Sequence, residues 1–279
     1  MRIYLPTLLL GLTLSGAQAQ SLYDLADTDT DTVSDVTEAI ETQEVSNIRL
    51  GLGPVTSPDY DGDDSYDIKP APMVSLHYRD LILIDNNNIR INLFGKDGLF
   101  NSNRYRAGPL LKLDRGRDES DSKDLTRLGD VGTSIEVGVF ASYTYERTRV
   151  RLRMQQDVIS GHRGLRVIGD LRYIFLNITD LVITSSASIE WANNNYMDSY
   201  FSITPEQSFS SELPGFDAGS GLKAASLSVG ANYSISRHWA LVASVGYSRL
   251  LGDARTSPLI AMRGSSNQFR NVLFAVYVF

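Results

Sequence analysis

Ile135-Glu136-Val137-Gly138-Val139-Phe140-Ala141-Ser142-Tyr143-Thr144-Tyr145 is the stretch whose reading decides the fold. Its odd positions are Ile135, Val137, Val139, Ala141, Tyr143 and Tyr145, whereas the even ones include Glu136, Gly138, Ser142 and Thr144. Side chains along a strand alternate between two faces, so one face of this segment suits lipid and the other suits water. The same split recurs in 181–191, where Leu181, Ile183, Ala187, Ile189 and Trp191 oppose Thr184, Ser186, Ser188 and Glu190. It returns in 222–235 and in 238–248. Segments of about ten residues with this dyad repeat are what a membrane-spanning barrel strand requires.

Working outward, strands are predicted near 45–53, 69–78, 81–85, 88–94, 104–113, 132–145, 148–157, 165–175, 181–191, 222–235, 238–248 and 268–279. Twelve is an even count and puts both termini on one side. The alternative is ten, if Pro70, Pro72 and the short run Leu81 to Ile84 belong to one kinked strand in 69–94. Short links at Glu146-Arg147, Asn177 to Asp180 and Ser236-Arg237 alternate with long ones at 115–131, 158–164, 192–221 and 249–267. Barrels of this kind have short periplasmic turns and longer outer loops, so the long links are expected outside and both termini in the periplasm. The last strand carries Phe269, Leu273, Ala275, Tyr277 and Phe279 on one face. An aromatic carboxy-terminus resembles the signal by which assembly machinery recognises outer-membrane barrels. The expected fold class is therefore all-β, an antiparallel transmembrane β-barrel of the outer-membrane type with about 12 strands.

The chain opens with Arg2, an apolar stretch from Leu8 to Leu14, and Ala17-Gln18-Ala19, which reads as a cleavable export signal over 1–19. That stretch is too short to span a bilayer, and no later segment reaches about 18 uninterrupted apolar residues. Residues 20–46 hold Asp24, Asp27, Asp29, Asp31, Asp35, Glu38, Glu41 and Glu44 and no base, an acidic, disordered periplasmic tether by composition. The net charge of −7 is thereby accounted for, and 47–279 form a balanced barrel domain without the basic footprint of a nucleic-acid binder. The chain has no cysteine, so a disulfide framework is excluded and stability must come from barrel closure.

Arg147, Arg149, Arg151 and Arg153 share one strand face, with Thr148, Val150, Leu152 and Met154 on the other. A charge facing lipid near the midplane costs roughly 2–4 kcal/mol, so the arginine row is expected to line the lumen. Arg90, Arg104, Arg106, Lys112, Arg166 and Arg172 fall on the same inward face, against the acids Asp114, Glu136, Asp157, Asp170 and Glu190. Two readings stay open: an anion-preferring pore lining, because rings of arginine select anions, or a lattice of ion pairs that plugs a narrow barrel.

No catalytic residue is expected. His77 and His238 fall near the periplasmic strand ends, and His162 sits in Ser160-Gly161-His162-Arg163-Gly164, read as a flexible outer loop. A serine two residues from a histidine rarely adopts nucleophile–base geometry. The acidic run Asp59, Asp61, Asp63, Asp64 fails as a calcium loop, since the sixth and twelfth places are Asp64 and Pro70 rather than Gly and Glu. Neither a metal nor a cofactor is expected from these motifs.

Several runs together resemble the MipA/OmpV family of outer-membrane proteins. They are Pro58-Asp59-Tyr60-Asp61-Gly62, Arg117-Asp118-Glu119-Ser120-Asp121, Leu128-Gly129-Asp130-Val131, the stretch from Tyr196-Met197 to Thr204-Pro205, and Gly219-Ser220-Gly221-Leu222-Lys223. The most specific is His238-Trp239 followed by Tyr247-Ser248-Arg249-Leu250-Leu251-Gly252-Asp253-Ala254. The resemblance implies a non-enzymatic scaffold in cell-wall assembly, embedded in outer-membrane lipid. Its expected periplasmic partners are a lytic murein transglycosylase and a bifunctional penicillin-binding murein synthase. Other relatives are associated with adhesion or solute passage, and the family supplies no catalytic residue to carry over.

Overall fold

The computed structural model describes residues 47–279, so the signal and tether expected over 1–46 lie outside the described residues. The strands are β1 (Asn47–Ser57), β2 (Asp67–Tyr78), β3 (Ile82–Asp85), β4 (Asn88–Ile91), β5 (Phe94–Gly95), β6 (Phe100–Asn101) and β7 (Tyr105–Asp114). They continue as β8 (Ser134–Tyr145), β9 (Thr148–Asp157), β10 (Leu165–Ile178), β11 (Leu181–Ala192), β12 (Gly221–Ser234), β13 (Trp239–Leu250) and β14 (Asn267–Val278). The two-residue β5 and β6 lie in the connection leading to β7. The other twelve pair in antiparallel order, and the sheet closes because β14 pairs with β1 and β4 pairs with β7. Closure leaves no long open edge, which is how a barrel satisfies its backbone in lipid.

Twelve is therefore the count, and the segment 69–94 is three strands rather than one kinked strand. The prolines have a positional reason. The Val74 amide donates to Asn86 Oδ1 at 2.6 Å, so the even-numbered amides of β2 point away from β1 and toward β3. The β3–β4 hairpin turns back at Asn86 and Asn87, and beyond it Pro72 and Pro70 occupy places where an amide has no ladder partner. Proline lacks that N–H, so it is tolerated on such an edge.

The closing seam is tight. The β1–β14 ladder lapses at Gly53 and Pro54, between Leu52↔Ala275 and Val55↔Val272. A Cβ on Gly53 would lie 1.8 Å from the Leu273 carbonyl oxygen. Gly53→Ala is thus expected to cost on the order of 1–3 kcal/mol, as overpacking against fixed atoms does. The check is a lowered urea midpoint of the folded, heat-modifiable band in gel shift; an unchanged midpoint would contradict the seam.

Burial follows the alternation. Val139, Val150, Leu152, Leu227, Val229 and Val245 are more than half exposed on the outer face. At the rim with the short turns stand Tyr78, Tyr105, Tyr145, Tyr233, Trp239 and Phe279, while Tyr247 and Phe269 pack at a tilt near the other, ring centroids 5.3 Å apart. Aromatics at both rims mark the two interfaces of a membrane barrel. No helix among the described residues is long and apolar enough to cross a membrane.

The long connections share one rim and carry the helices α1 (Asn194–Phe201), α2 (Pro205–Ser211), α3 (Gly252–Thr256) and α4 (Pro258–Arg263). Asn193 caps α1 by accepting from the Tyr196 amide, and Thr204 and Gln207 form a capping box on α2. These connections bury a common core that includes Leu125, Leu128, Met197, Phe201, Leu213 and Leu259, and they fold over that mouth as a packed cap.

Candidate functional site

The inner face of the barrel is a set of ion-pair clusters rather than a uniform row of arginines. Nearest the cap, Glu136 on β8 is fully buried and accepts from Arg166 Nη2 at 2.6 Å and Nε at 3.0 Å. Arg166 on β10 also reaches Glu190 on β11 at 3.3 Å and Asp114 on β7 at 3.9 Å. Lys223 on β12 extends the network to Glu190 at 3.3 Å, to Asp61 at 2.8 Å and to the Tyr196 hydroxyl at 3.1 Å. Burial lifts the Tyr196 phenol well above its ordinary pKa, so it stays neutral beside these charges.

Deeper in the lumen, Asp170 accepts from Arg151 Nε at 3.1 Å and from Arg153 Nε and Nη2 at 3.2 and 3.1 Å. Near the short-turn rim, Asp85 gathers Arg90 Nη2 at 3.0 Å, Ser75 Oγ at 2.8 Å and His77 Nε2 at 3.1 Å. This last group contains Ser, His and Asp without the geometry of a catalytic triad. One nitrogen, His77 Nε2, faces both Ser75 Oγ and Asp85, so no carboxylate orients the ring from its far side.

Of the residues singled out from sequence, Arg106, Arg149, Arg151, Arg153, Arg166, Arg172, Glu136 and Asp170 sit on the inner face. Arg147 and Arg104 do not. Arg147 is exposed in the Glu146-Arg147 turn, where Glu146 takes φ +51° and ends the ladder, and Arg104 precedes β7 with its guanidinium 5.9 Å from the Tyr145 ring centroid. The alternating pattern continues in the sequence past the point where the wall stops.

The reading of His162 as part of a flexible outer loop is overturned. Its side chain is fully buried, Nε2 lies 3.1 Å from Glu136 Oε1, Nδ1 accepts from the Gly164 amide at 2.9 Å, and its ring packs edge-on against Tyr196. Burial beneath α1 comes from Gly164, where a side chain would collide with Tyr196. Asp114, Glu136 and His162 each bring a ligand atom within 4.8 Å of the others. The guanidinium of Arg166 already stands among them as the cation, which disfavours a metal there.

Sequence reasoning missed Arg117, Tyr196, Lys223 and Arg270. Arg117 is buried and gives Nη1 to the Tyr200 carbonyl oxygen at 2.8 Å. Lys223 and Arg270 obey the same alternation as the arginine row and were legible by it. Among the described residues, cavities of about 130 and 170 Å³ lie between the clusters. Asp61, Glu190, Lys223 and Arg270 line both.

Comparison with solved structures finds barrels of low sequence identity. The COG4313 outer membrane channel from Pseudomonas putida F1 is 11% identical at a TM-score of 0.42, covering 85% of this chain and 96% of that one. The NanC porin is 11% identical at 0.39, covering 84% and 99%. A bacterial polysaccharide outer membrane secretin is 10% identical at 0.41, covering 86% and 99%. No curated protein matches the chain in sequence. The profile of the family described as MltA-interacting protein MipA matches residues 50–279, nearly the whole barrel. An outer-membrane β-barrel with a capped, ion-paired lumen, this chain belongs to the MltA-interacting protein MipA family.

Proposed function

We propose that this protein is a closed, non-enzymatic barrel that serves as a membrane anchor for cell-wall enzymes. In this reading the short-turn rim and the acidic tether face the periplasm and dock a lytic murein transglycosylase and a murein synthase. The observation that carries it is the filled lumen: Glu136, Arg151, Arg153, Gln155 and Arg166 are all at most 5% exposed beneath a packed cap. A barrel filled this way offers its rims, not its interior, to other molecules. The family description, which names interaction with a murein enzyme, supports the choice of partner.

Cross-linking in envelope extracts is expected to recover a transglycosylase or murein synthase, and recovery should fall when residues 20–46 are removed from the mature chain. Planar bilayers holding the purified barrel are expected to stay silent. Steady anion-selective conductance that changes in Arg151→Ala would replace this reading with a narrow solute channel. That second reading is favoured by the cavity beside Arg153 and Asp170.

A further inference from the structure

Outside the lumen, the β1–β2 loop meets the short 3-10 turn Lys123–Leu125, and there Asp63, Asp64 and Asp124 converge. One carboxylate oxygen from each lies within 4.8 Å of the other two. Asp63 is 0% exposed, and a buried carboxylate is costly unless a cation or full hydrogen bonding compensates it. Its Oδ1 accepts from the Ser65 amide at 2.9 Å and the Ser65 hydroxyl at 2.7 Å, whereas Oδ2 has no hydrogen-bond partner.

No Lys, Arg or His nitrogen among the described residues comes within 4.0 Å of these three carboxylates. Arg263, which touches this corner, directs Nη1 to the Asp124 carbonyl oxygen and Nη2 to that of Ser211, not to a carboxylate. A second side chain points the same way. Tyr60 is 6% exposed, its hydroxyl lacks a partner, and its carbonyl oxygen accepts from the Asp63 amide at 3.0 Å. Three carboxylates, one of them with an unpartnered buried oxygen, thus converge without a protein cation among the described residues, and a second unpartnered buried oxygen belongs to Tyr60 in the same loop.

We propose that Asp63, Asp64 and Asp124 bind one divalent cation, calcium, which clips the β1–β2 loop to the cap. An all-oxygen ligand set is what a hard cation takes, and calcium accepts three carboxylates in flexible geometry with the remainder supplied by carbonyls and water. Magnesium demands a near-ideal octahedron and retains its waters. The cation neutralises the convergent charges and ties Asp63, next to the barrel wall, to Asp124 in a connection 61 residues later.

Terbium titration of the mature protein refolded in detergent tests this, with tyrosine excitation so that Tyr60 sensitises the bound ion. One saturable, calcium-displaceable site is expected, weakened at least tenfold in Asp64→Asn and in Asp124→Asn. Asp64 is exposed, so its variant folds whatever the effect of the others. Calcium should raise, and chelator lower, the unfolding temperature of the parent protein but not of either variant. Equal terbium binding in parent and variants would assign the signal to the acidic tether and overturn the site. So would displacement by magnesium but not by calcium, or an unfolding temperature indifferent to chelator.

Discussion

Glu136→Leu is expected to destabilise the barrel by about 3–5 kcal/mol, the range seen when one partner of a buried charge pair is removed. Glu136 is fully buried and binds both the Arg166 guanidinium and His162. Leucine in its place leaves Arg166 with the longer ion pairs to Glu190 and Asp114 and its place over the Tyr196 ring, and leaves His162 Nε2 without its acceptor. The loss reaches two layers at once, because His162 belongs to the cap and Glu136 to the wall. Unfolding by urea in micelles measures it, together with earlier cleavage of the 158–164 connection by protease.

The double variant Glu136→Leu/Arg166→Met gives the argument its sign. If the cost comes from an uncompensated charge, removing the second charge restores much of the stability, since buried pairs replaced by apolar residues are often neutral. If the cost comes from lost packing, the double variant is worse than the single one. A Glu136→Leu protein as stable as the parent would mean that the buried cluster carries no structural weight.

The wall was legible and the cap was not, for a physical reason. Strands in a membrane barrel are read from a period of two, and the solvent on each face is fixed, so Val137, Val139, Val150 and Leu152 declare their side by composition alone. Where the wall is irregular the sequence left two counts open: Pro70 and Pro72 allowed one kinked strand as the alternative, and in the fold they mark a strand edge above a short hairpin, which leaves twelve. The cap obeys no such period. Its helices are five to eight residues long, held by Asn193 and the Thr204–Gln207 box and by contacts between connections far apart in sequence. The capping box was present in the sequence, but nothing local shows that Tyr196 packs on His162. Burial of His162 is set by that distant contact.

The face assignment of β9 has the sharpest test of the lipid boundary. Leu152 is 56% exposed at the middle of the strand, while its neighbours Arg151 and Arg153 are 5% and 2% exposed and paired with Asp170. Leu152→Arg therefore adds a guanidinium one residue away from the compensated sites, facing hydrocarbon, and is expected to cost about 2–4 kcal/mol. Thr148→Arg, at the rim-proximal end of the same outer face, should cost only about 0–1 kcal/mol, because the penalty falls with depth. The gradient between them, measured as the difference in unfolding free energy in lipid vesicles, separates a bilayer from any other apolar surround. In detergent micelles, where water and headgroups reach the belt, the two variants should converge. Equal costs in vesicles would place Leu152 away from the membrane midplane and require the strand to sit higher or lower in the bilayer.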